Sequence, residues 1–346
     1  MQDQELLLVS SSPHVRSKDT TRGIMTDVVI ALLPAMAVAI YVFGLRALTL
    51  TCVCSLSCVF FEWVYRKLMK KTNTVGDMSA VVTGVLIVYC VPISAPYWMV
   101  VVGAFFAIII VKQLFGGIGK NFMNPALAAR AFLFSWPVIM TTWAAPFSYG
   151  SNIANIGKLT DVVTAATPLA SLNVGQLPAV SLAQMFVGTI GGSLGEVSAI
   201  ALIIGGAYLV VRKVISLHIP VAYVLTVALL AFLFPGSDSV PRFTWMMYEV
   251  LSGGVILGAI FMATDYATSP VTKNGQIIFG VGCGLITMFI RFFGSYVEGV
   301  SYAILIMNTG VWLIDKATVP RRFGVSKEDL RAKKAAEKKS KEGATA

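Results

Sequence analysis

The sequence predicts an all-α polytopic membrane protein with about ten transmembrane helices. Its mean hydropathy is +0.78, and 56% of its residues are hydrophobic while only 13% are charged. An ordinary soluble domain carries about 25% charged residues. The apolar residues gather in successive segments of about 20 residues, the length that crosses the hydrocarbon core as a helix.

Ten apolar segments are the predicted spans. The third is short and ends at Val91-Pro92, which favours a broken or re-entrant helix. No apolar stretch with a small-residue cleavage site precedes the first span, so this span is expected to be an uncleaved anchor. The spans are 24–44, 45–65, 78–93, 97–113, 122–140, 193–211, 216–234, 247–264, 274–293 and 298–315.

The two halves of the chain resemble each other weakly. Gly84 and Pro96 have the same separation as Gly258 and Pro270, and each half would hold five spans. An odd number of spans inverts the second half relative to the first. The sequence therefore predicts two inverted five-helix repeats with broken or re-entrant helices, an arrangement typical of sites near the membrane midplane. Chance similarity between apolar helices is the alternative.

The basic residues predict that both termini are cytoplasmic. In this orientation the cytoplasmic segments hold 22 of the 27 Lys and Arg residues and the opposite side holds four, while Arg130 lies within a span. Cytoplasmic loops carry such an excess. The expected organisation is a cytoplasmic N-terminal segment (1–23), a first repeat (24–140), an extracytoplasmic loop (141–192), a second repeat (193–315) and a basic cytoplasmic tail (316–346).

Two function classes receive little support from the composition. The basic tail lacks the interleaved aromatic residues of a nucleic-acid platform, so we expect it to lie near anionic membrane lipids. No metal site is expected, because the cysteines suit no standard zinc or iron–sulfur spacing and the chain has only two histidines. The cysteines, all in predicted spans, are Cys52, Cys54, Cys58, Cys90 and Cys283.

The loop 141–192 is long and contains only two charged residues, Lys158 and Asp161. A long loop of this kind is usually folded against the protein or functional. At its centre, residues 161–167 read Asp-Val-Val-Thr-Ala-Ala-Thr. Small residues beside a threonine hydroxyl would leave room for a modifying enzyme, although an ordinary turn is the better explanation of this composition taken alone.

The pattern Asp-x-x-Thr-Ala-Ala-Thr resembles the acceptor motif of flavin transferases, which attach FMN through its phosphate to the last threonine. Here that residue is Thr167, within a motif formed by Asp161, Thr164, Ala165 and Ala166. The commonest motif has Ser-Gly-Ala-Thr at its end, and this departure leaves the acceptor intact. Five further segments resemble the family that contains the D subunit of the Rnf complex and the B subunit of the sodium-pumping NADH:quinone oxidoreductase: 76–84, 115–126, 192–198, 261–270 and 296–308.

The resemblance covers about residues 20–320, and the short N-terminal segment favours the Rnf D subunit. It implies covalent FMN on Thr167, a second, non-covalent flavin such as riboflavin as an option, and electron transfer between ferredoxin and NAD⁺ coupled to Na⁺ or H⁺ translocation. The implied partners are the A, B, C, E and G subunits of the Rnf complex in the bacterial cytoplasmic membrane, and a flavin transferase. The alternatives are the quinone-reductase B subunit and a solute channel like the urea transporters, which would need no acceptor threonine.

Several polar residues lie in or near the predicted spans, where ionisable groups are usually functional or paired. Asp77 and Asp265 are candidates for an ion pathway, with structural ion pairs as the alternative, for Asp265 with Lys273. Arg130 is expected to pair with a carboxylate or to lie near the flavin phosphate, and Glu62 is expected at the membrane interface. A glycine-rich turn and the segment after it supply further candidate flavin contacts, with close backbone packing as the alternative: Gly116, Gly117, Asn121 and Asn124.

Overall fold

The computed structural model describes residues 19–147, 166–237, 240–294, 296 and 298–320. All regular elements within these ranges are helices, and no strand is found among them. The all-α prediction is therefore confirmed for this part of the chain.

Twelve of the fourteen α-helices in the described residues lie within or overlap the predicted spans, and the other two lie in the predicted loop 141–192. The C-terminal parts of α4 (from Phe106) and α12 (from Gly258) are π-helical. The helices are α1 (Thr21–Phe43), α2 (Leu45–Leu68), α3 (Ser79–Tyr89), α4 (Tyr97–Gln113), α5 (Pro125–Leu133), α6 (Pro137–Met140), α7 (Pro168–Asn173), α8 (Leu182–Val187), α9 (Ala199–Val211), α10 (His218–Leu233), α11 (Arg242–Leu251), α12 (Val255–Met262), α13 (Lys273–Phe293) and α14 (Val300–Thr318).

Three helices, α1, α2 and α13, are long and apolar enough to cross a membrane individually. The pair α11 and α12 passes the same test together and is bent by 63°. The predicted third span is only the 11 residues of α3, about 16 Å of helix against a hydrocarbon core of about 30 Å. The chain has the apolar helices of a membrane protein, while the number of ten crossings stays a prediction.

The predicted span 122–140 is wrong in extent. Asn124 caps α5 by accepting hydrogen bonds from the backbone N–H groups of Ala126 and Leu127, so the helix begins at Pro125. It ends at Leu133, and Trp136 has a non-helical backbone (φ −111°, ψ 69°). A proline disfavours helical geometry in the residue before it, so Pro137 separates α5 from α6.

A helix break at 252–254 lies inside the predicted eighth span, where the sequence indicates a continuous helix. Gly253 has φ +66°, a conformation that glycine adopts readily. Arg291 donates to the carbonyl oxygens of Glu249 and Ser252 at 2.8 and 3.0 Å. A buried guanidinium therefore replaces the hydrogen bonds that the helix loses at this break.

A buried arginine of α2 also lies against the break between α3 and α4. Arg46 donates to the carbonyl oxygens of Ile93 and Ala95 at 2.9 and 3.0 Å. The expectation that the chain leaves the helix near Val91-Pro92 is therefore confirmed. The corresponding segment of the second half, 263–272, also leaves the helix before α13 begins.

Helix packing relies on small residues where two helices approach closely. A Cβ on Gly280 would lie 2.8 Å from that of Ala222, and one on Gly284 would lie 2.6 Å from that of Thr226, so α13 packs directly on α10. Helices α2 and α4 also pack together, as do α1 with α9 and α5 with α14. These pairings agree with the proposed repeat, which itself stays a prediction.

The loop 141–192 is partly described. Its C-terminal part forms α7 and α8, and Ser181 caps α8 through a capping box with Gln184. The Tyr248 hydroxyl of α11 donates to the carbonyl oxygen of Val180 at 3.0 Å. This part of the loop is therefore folded against the helices, as its length and low charge predicted.

Candidate functional site

Thr167 lies on the wall of a cavity of about 450 Å³. We call it the threonine cavity and define it by Arg130, Phe134, Thr167, Glu196 and Glu298, which all line it. Its walls come from α5, the start of α7, the segment before α9 and the segment before α14. The cavity therefore joins the predicted attachment loop to both halves of the chain.

Local sequence holds Thr167 in place. Its Oγ1 caps α7 by accepting a hydrogen bond from the N–H of Ala170 at 3.3 Å. Pro168 occupies the first position of the helix, where its fixed φ is favourable. Pro168 and Leu169 are buried, whereas Thr167 is partly exposed and Ala166 is exposed. Three other members of the acceptor motif, Asp161, Thr164 and Ala165, lie outside the described residues.

A buried charge cluster forms the floor of the threonine cavity. The Arg130 side chain is 3% exposed and its Nη2 donates to Glu298 Oε2. The same Nη2 lies 3.6 Å from Glu196 Oε1. Glu298 Oε1 also accepts a hydrogen bond from the N–H of Gly254, at 2.8 Å, in the break between α11 and α12. The expected pairing of Arg130 with a carboxylate is therefore confirmed, and it involves two of them.

This pairing limits a second expected role of Arg130. Its guanidinium lines the same cavity as Thr167, yet it is already engaged by Glu298 and Glu196. A phosphate on Thr167 would have to compete with both carboxylates for this cation. The geometry favours a structural role for Arg130 within the charge cluster.

A second cavity, of about 100 Å³, lies near the N-terminus of α5. We call it the polar cavity and define it by Ser79, Lys112, Asn121, Asn124 and Asp265, which all line it. Asn121 and Asn124, two of the candidate flavin contacts, are therefore brought together. Asn124 also joins two elements, because its Nδ2 donates to the carbonyl oxygen of Met262 at 3.2 Å.

Lys112 connects the polar cavity to a buried network. Its Nζ donates to Glu62 Oε2 at 2.9 Å and to Ser79 Oγ at 2.6 Å. Gln113 and Thr74 both donate to the other oxygen of Glu62, at 2.9 and 2.7 Å. The Glu62 side chain is only 1% exposed and is therefore enclosed by protein, while its expected position at the membrane interface stays a prediction.

The two candidate ion-pathway residues have different surroundings. Asp77 accepts hydrogen bonds from the N–H and the hydroxyl of Ser79 at 2.9 and 2.6 Å, so it caps α3. Asp265 lines the polar cavity and accepts a hydrogen bond from the Thr268 hydroxyl at 3.1 Å. Asp265 belongs to none of the ion pairs found among the described residues, so the alternative pair with Lys273 is not observed there.

The glycine-rich turn packs against a side chain. Gly116 and Gly117 have φ of +116° and +96°, and a Cβ on Gly117 would lie 2.5 Å from the Arg66 guanidinium. Neither glycine lines the polar cavity or the threonine cavity. Close backbone approach, the alternative considered from the sequence, is therefore what the turn provides.

The two cavities lie at opposite ends of α5. Ala126 lines the polar cavity and Arg130 lines the threonine cavity. They are one helical turn apart, about 6 Å along the axis. Helix α12 also lies between the two cavities. Ile260 lines the polar cavity, and Gly253, just before the helix, lines the threonine cavity.

Two members of these sites are not evident from sequence reasoning. Glu298 lies within the family-like segment 296–308, but nothing nearby in the chain marks it as an ionised group, and its partner Arg130 is 168 residues away. Lys112 resembles an ordinary cytoplasmic basic residue at the end of a span. Its position one residue before Gln113, at the end of an apolar segment, is the available signal of a buried polar helix end.

Comparison with known proteins identifies the relatives of this chain. The profile of the NQR2, RnfD, RnfE family matches residues 8–324. The D subunit of the Na⁺-translocating ferredoxin:NAD⁺ oxidoreductase complex of Acetobacterium woodii is 54% identical over 331 residues, which cover 94% of this chain and 98% of the relative. The D subunit of the proton-translocating ferredoxin:NAD⁺ oxidoreductase complex of Clostridium ljungdahlii is 41% identical, over 93% and 97% of the two chains. The D subunit of an ion-translocating oxidoreductase complex of Stutzerimonas stutzeri is 37% identical, over 87% and 91%.

Replacing Arg130 with alanine should destabilise the protein strongly. The substitution would leave two buried carboxylates without their cation, and breaking a buried ion pair in this way typically costs about 3–5 kcal/mol. The measurement is thermal or denaturant unfolding of the purified protein in detergent.

The matched control is Arg212→Ala. Arg212 is 57% exposed and pairs with Asp27, and an exposed ion pair contributes about 1 kcal/mol or less. Equal losses for the two variants would show that the Arg130 cluster does not stabilise the fold.

Proposed function

The chain belongs to the NQR2, RnfD, RnfE family, and from this premise we propose that it is the D-type membrane subunit of an ion-translocating ferredoxin:NAD⁺ oxidoreductase complex. The relatives from Acetobacterium woodii and Clostridium ljungdahlii are named as such subunits and match almost their full length. The expected partners are the A, B, C, E and G subunits. One relative is named for Na⁺ and the other for protons, so both ions are candidates for this chain.

Covalent attachment of FMN to Thr167 is the central part of this proposal. The observation that supports it is the position of the Thr167 hydroxyl, partly buried on the wall of a cavity of about 450 Å³. Ligand cavities typically measure about 300–1,000 Å³. Small neighbours, Ala166 and Pro168, leave this hydroxyl accessible to a flavin transferase.

The lining of the threonine cavity fits a flavin. Phe134, Trp143 and Tyr296 supply aromatic surface for a planar ring system, and Glu196 and Glu298 supply hydrogen-bonding oxygens. When bound, FMN supplies the ability to accept and release electrons, while the protein supplies position, dielectric and hydrogen bonds. The ring centroids of Phe134 and Tyr296 are 6.0 Å apart, in an edge-to-face arrangement.

Among the described residues, the polar cavity offers donors and acceptors for a second, non-covalent flavin such as riboflavin. Lys112, Asn121, Asn124 and Asp265 line it. Its volume of about 100 Å³ is below the range of about 300–1,000 Å³ typical of ligand sites. A second flavin would bind there only after the cavity widens, so it stays a prediction.

Asp265 is proposed to contribute to ion coupling. It lies in the polar cavity with Lys112, near the end of α12 where the chain leaves the helix. A carboxylate beside freed backbone carbonyls can hold a cation or hydrogen-bond a polar cofactor edge. Asp77, by contrast, accepts a hydrogen bond from the N–H of Ser79, the first residue of α3, which gives it a local structural role.

Thr167→Val should abolish the in-gel flavin fluorescence of the denatured chain, because valine keeps the branched shape and lacks the esterified oxygen. The matched control is Thr141→Val, since Thr141 lines the same cavity and lies outside the acceptor motif. Thr164→Val should leave some flavin attached. Full flavinylation of the Thr167 variant would reject this assignment, and absence of flavin from the wild-type complex would favour the solute-channel alternative.

The proposed topology has both termini in the cytoplasm. The chain is proposed to cross the bacterial cytoplasmic membrane several times. It follows from the distribution of basic residues. A cysteine introduced at Ser151 should react with an impermeant reagent applied from outside, and one at Ser340 should not. The opposite labelling pattern would show that the orientation is inverted.

Asp265→Asn should leave assembly and covalent flavin unchanged and abolish ion-coupled electron transfer, because it removes charge and keeps size. The control is Asp27→Asn, which alters a charged pair with Arg212 outside both cavities. The measurements are complex assembly, flavin fluorescence and coupled ferredoxin:NAD⁺ activity. An assembled Asp265 variant with wild-type coupled activity would contradict the proposed role, and failed assembly would favour a structural role.

A further inference from the structure

The floor of the threonine cavity holds two carboxyl groups and one guanidinium. The side chains of Arg130, Glu196 and Glu298 are 3%, 9% and 13% exposed. If both glutamates were ionised, the cluster would carry one uncompensated negative charge. A buried charge without a partner is strongly unfavourable, so the cluster requires a further positive charge or a proton.

One carboxyl oxygen in the cluster has no hydrogen-bond partner among the described residues. This atom is Glu196 Oε1, whose neighbour Arg130 Nη2 lies at 3.6 Å, beyond hydrogen-bond distance. Both glutamate side chains lie against Gly254. A Cβ built on Gly254 would lie 2.5 Å from Glu298 Oε1 and 3.1 Å from Glu196 Oε1. The unpartnered oxygen therefore lies within about 6 Å of an oxygen of the second carboxyl group.

The elements packed around the pair do not supply the balancing charge within the described part of the chain. Arg291 of α13 approaches the cluster but pairs with Glu249 of α11 at 2.7 Å. Arg46 of α2 donates to the carbonyl oxygens of the break after α3. Arg291 and Glu249 balance each other, and the ion pairs of Glu196 and Glu298 among the described residues involve Arg130 alone, so the cluster keeps its excess of one negative charge. Cys90, Tyr296 and Tyr302 also lie near the cluster, and none of these side chain types can supply a positive charge.

We propose that Glu196 and Glu298 share one proton at neutral pH. The proton lies between the two carboxyl groups, and Arg130 balances the one negative charge that remains. Two carboxyl groups this close do not both ionise, and their titration belongs to the pair and not to either residue. The shared proton also provides the hydrogen bond that Glu196 Oε1 otherwise lacks.

The functional consequence rests on the proposed flavin in the threonine cavity. Reduction of a group in this cavity adds negative charge near the pair, and negative charge favours the protonated form of a neighbouring acid. Above the pH at which the pair releases its proton, reduction should therefore draw the proton back. In that range the flavin reduction potential should fall as pH rises, and Glu196→Gln should weaken this dependence.

Infrared spectroscopy of the purified full-length protein tests the proton directly. The Thr167→Val variant allows the measurement without flavin absorption. We expect a protonated carboxylic-acid C=O stretching band at neutral pH that shifts in D₂O and disappears at alkaline pH. Glu196→Gln and Glu298→Gln should each remove the band, because the remaining carboxylate then has Arg130 to itself.

The matched control is Glu249→Gln, which should retain the band because Glu249 belongs to the separate pair with Arg291. Glu196→Asp keeps both carboxyl groups and should retain a band if the glutamine variants fail to fold. Absence of the band from wild type at neutral pH, or its survival in both glutamine variants, would overturn the proposal. If the wild-type protein carries covalent flavin but lacks the band, only the shared proton is refuted. If it shows the band but carries no covalent flavin, only the flavin site is refuted.

Discussion

A helix that stops inside a membrane leaves carbonyl groups that water cannot reach, and each of these needs a donor from the protein. Two buried arginines fulfil this requirement here. Arg46 serves the break after α3, and Arg291 serves the break between α11 and α12. Without these guanidinium groups, the carbonyl oxygens of Ile93, Ala95, Glu249 and Ser252 would lose these hydrogen bonds.

The interruptions in turn position the cavities. The break before α12 presents the N–H of Gly254 to Glu298, which fixes one carboxylate of the charge cluster. The early end of α5 opens the space lined by Phe134 and Thr167. Full-length helices at these places would fill both regions with regular packing. The proposed cofactor site is therefore a direct result of helices that are too short to cross the membrane by themselves.

The sequence predicted the long helices well because their signal is local. α1, α2 and α13 are long and predominantly apolar, and their bounds differ from the predicted spans by a few residues. The end of α5 was also readable from Pro137, although the prediction extended the helix beyond it. The break at 252–254 was hidden because Ser-Gly-Gly within an apolar run is equally compatible with close helix packing.

The candidate site was predictable only in part. Thr167 and Arg130 could be selected because a motif and an isolated charge in a span are visible along the chain. Their shared cavity, and the partner Glu298, depend on contacts between residues far apart in sequence. Such contacts follow from the packing of the two halves, and a single sequence contains no direct signal of that packing.

The π-helical end of α4 determines the direction of two buried polar side chains. In a π-helix each hydrogen bond spans one residue more than in an α-helix, and one residue corresponds to about 100° of rotation around the helix axis. Lys112 and Gln113 lie at the end of this segment, and both bond to Glu62. An α-helical path with the same residues would turn both side chains about 100° around the axis and away from Glu62, so the extra residue of the π-helical turn determines their direction. The buried network around Glu62 therefore depends on the backbone path of α4 as well as on the identity of the residues that form it.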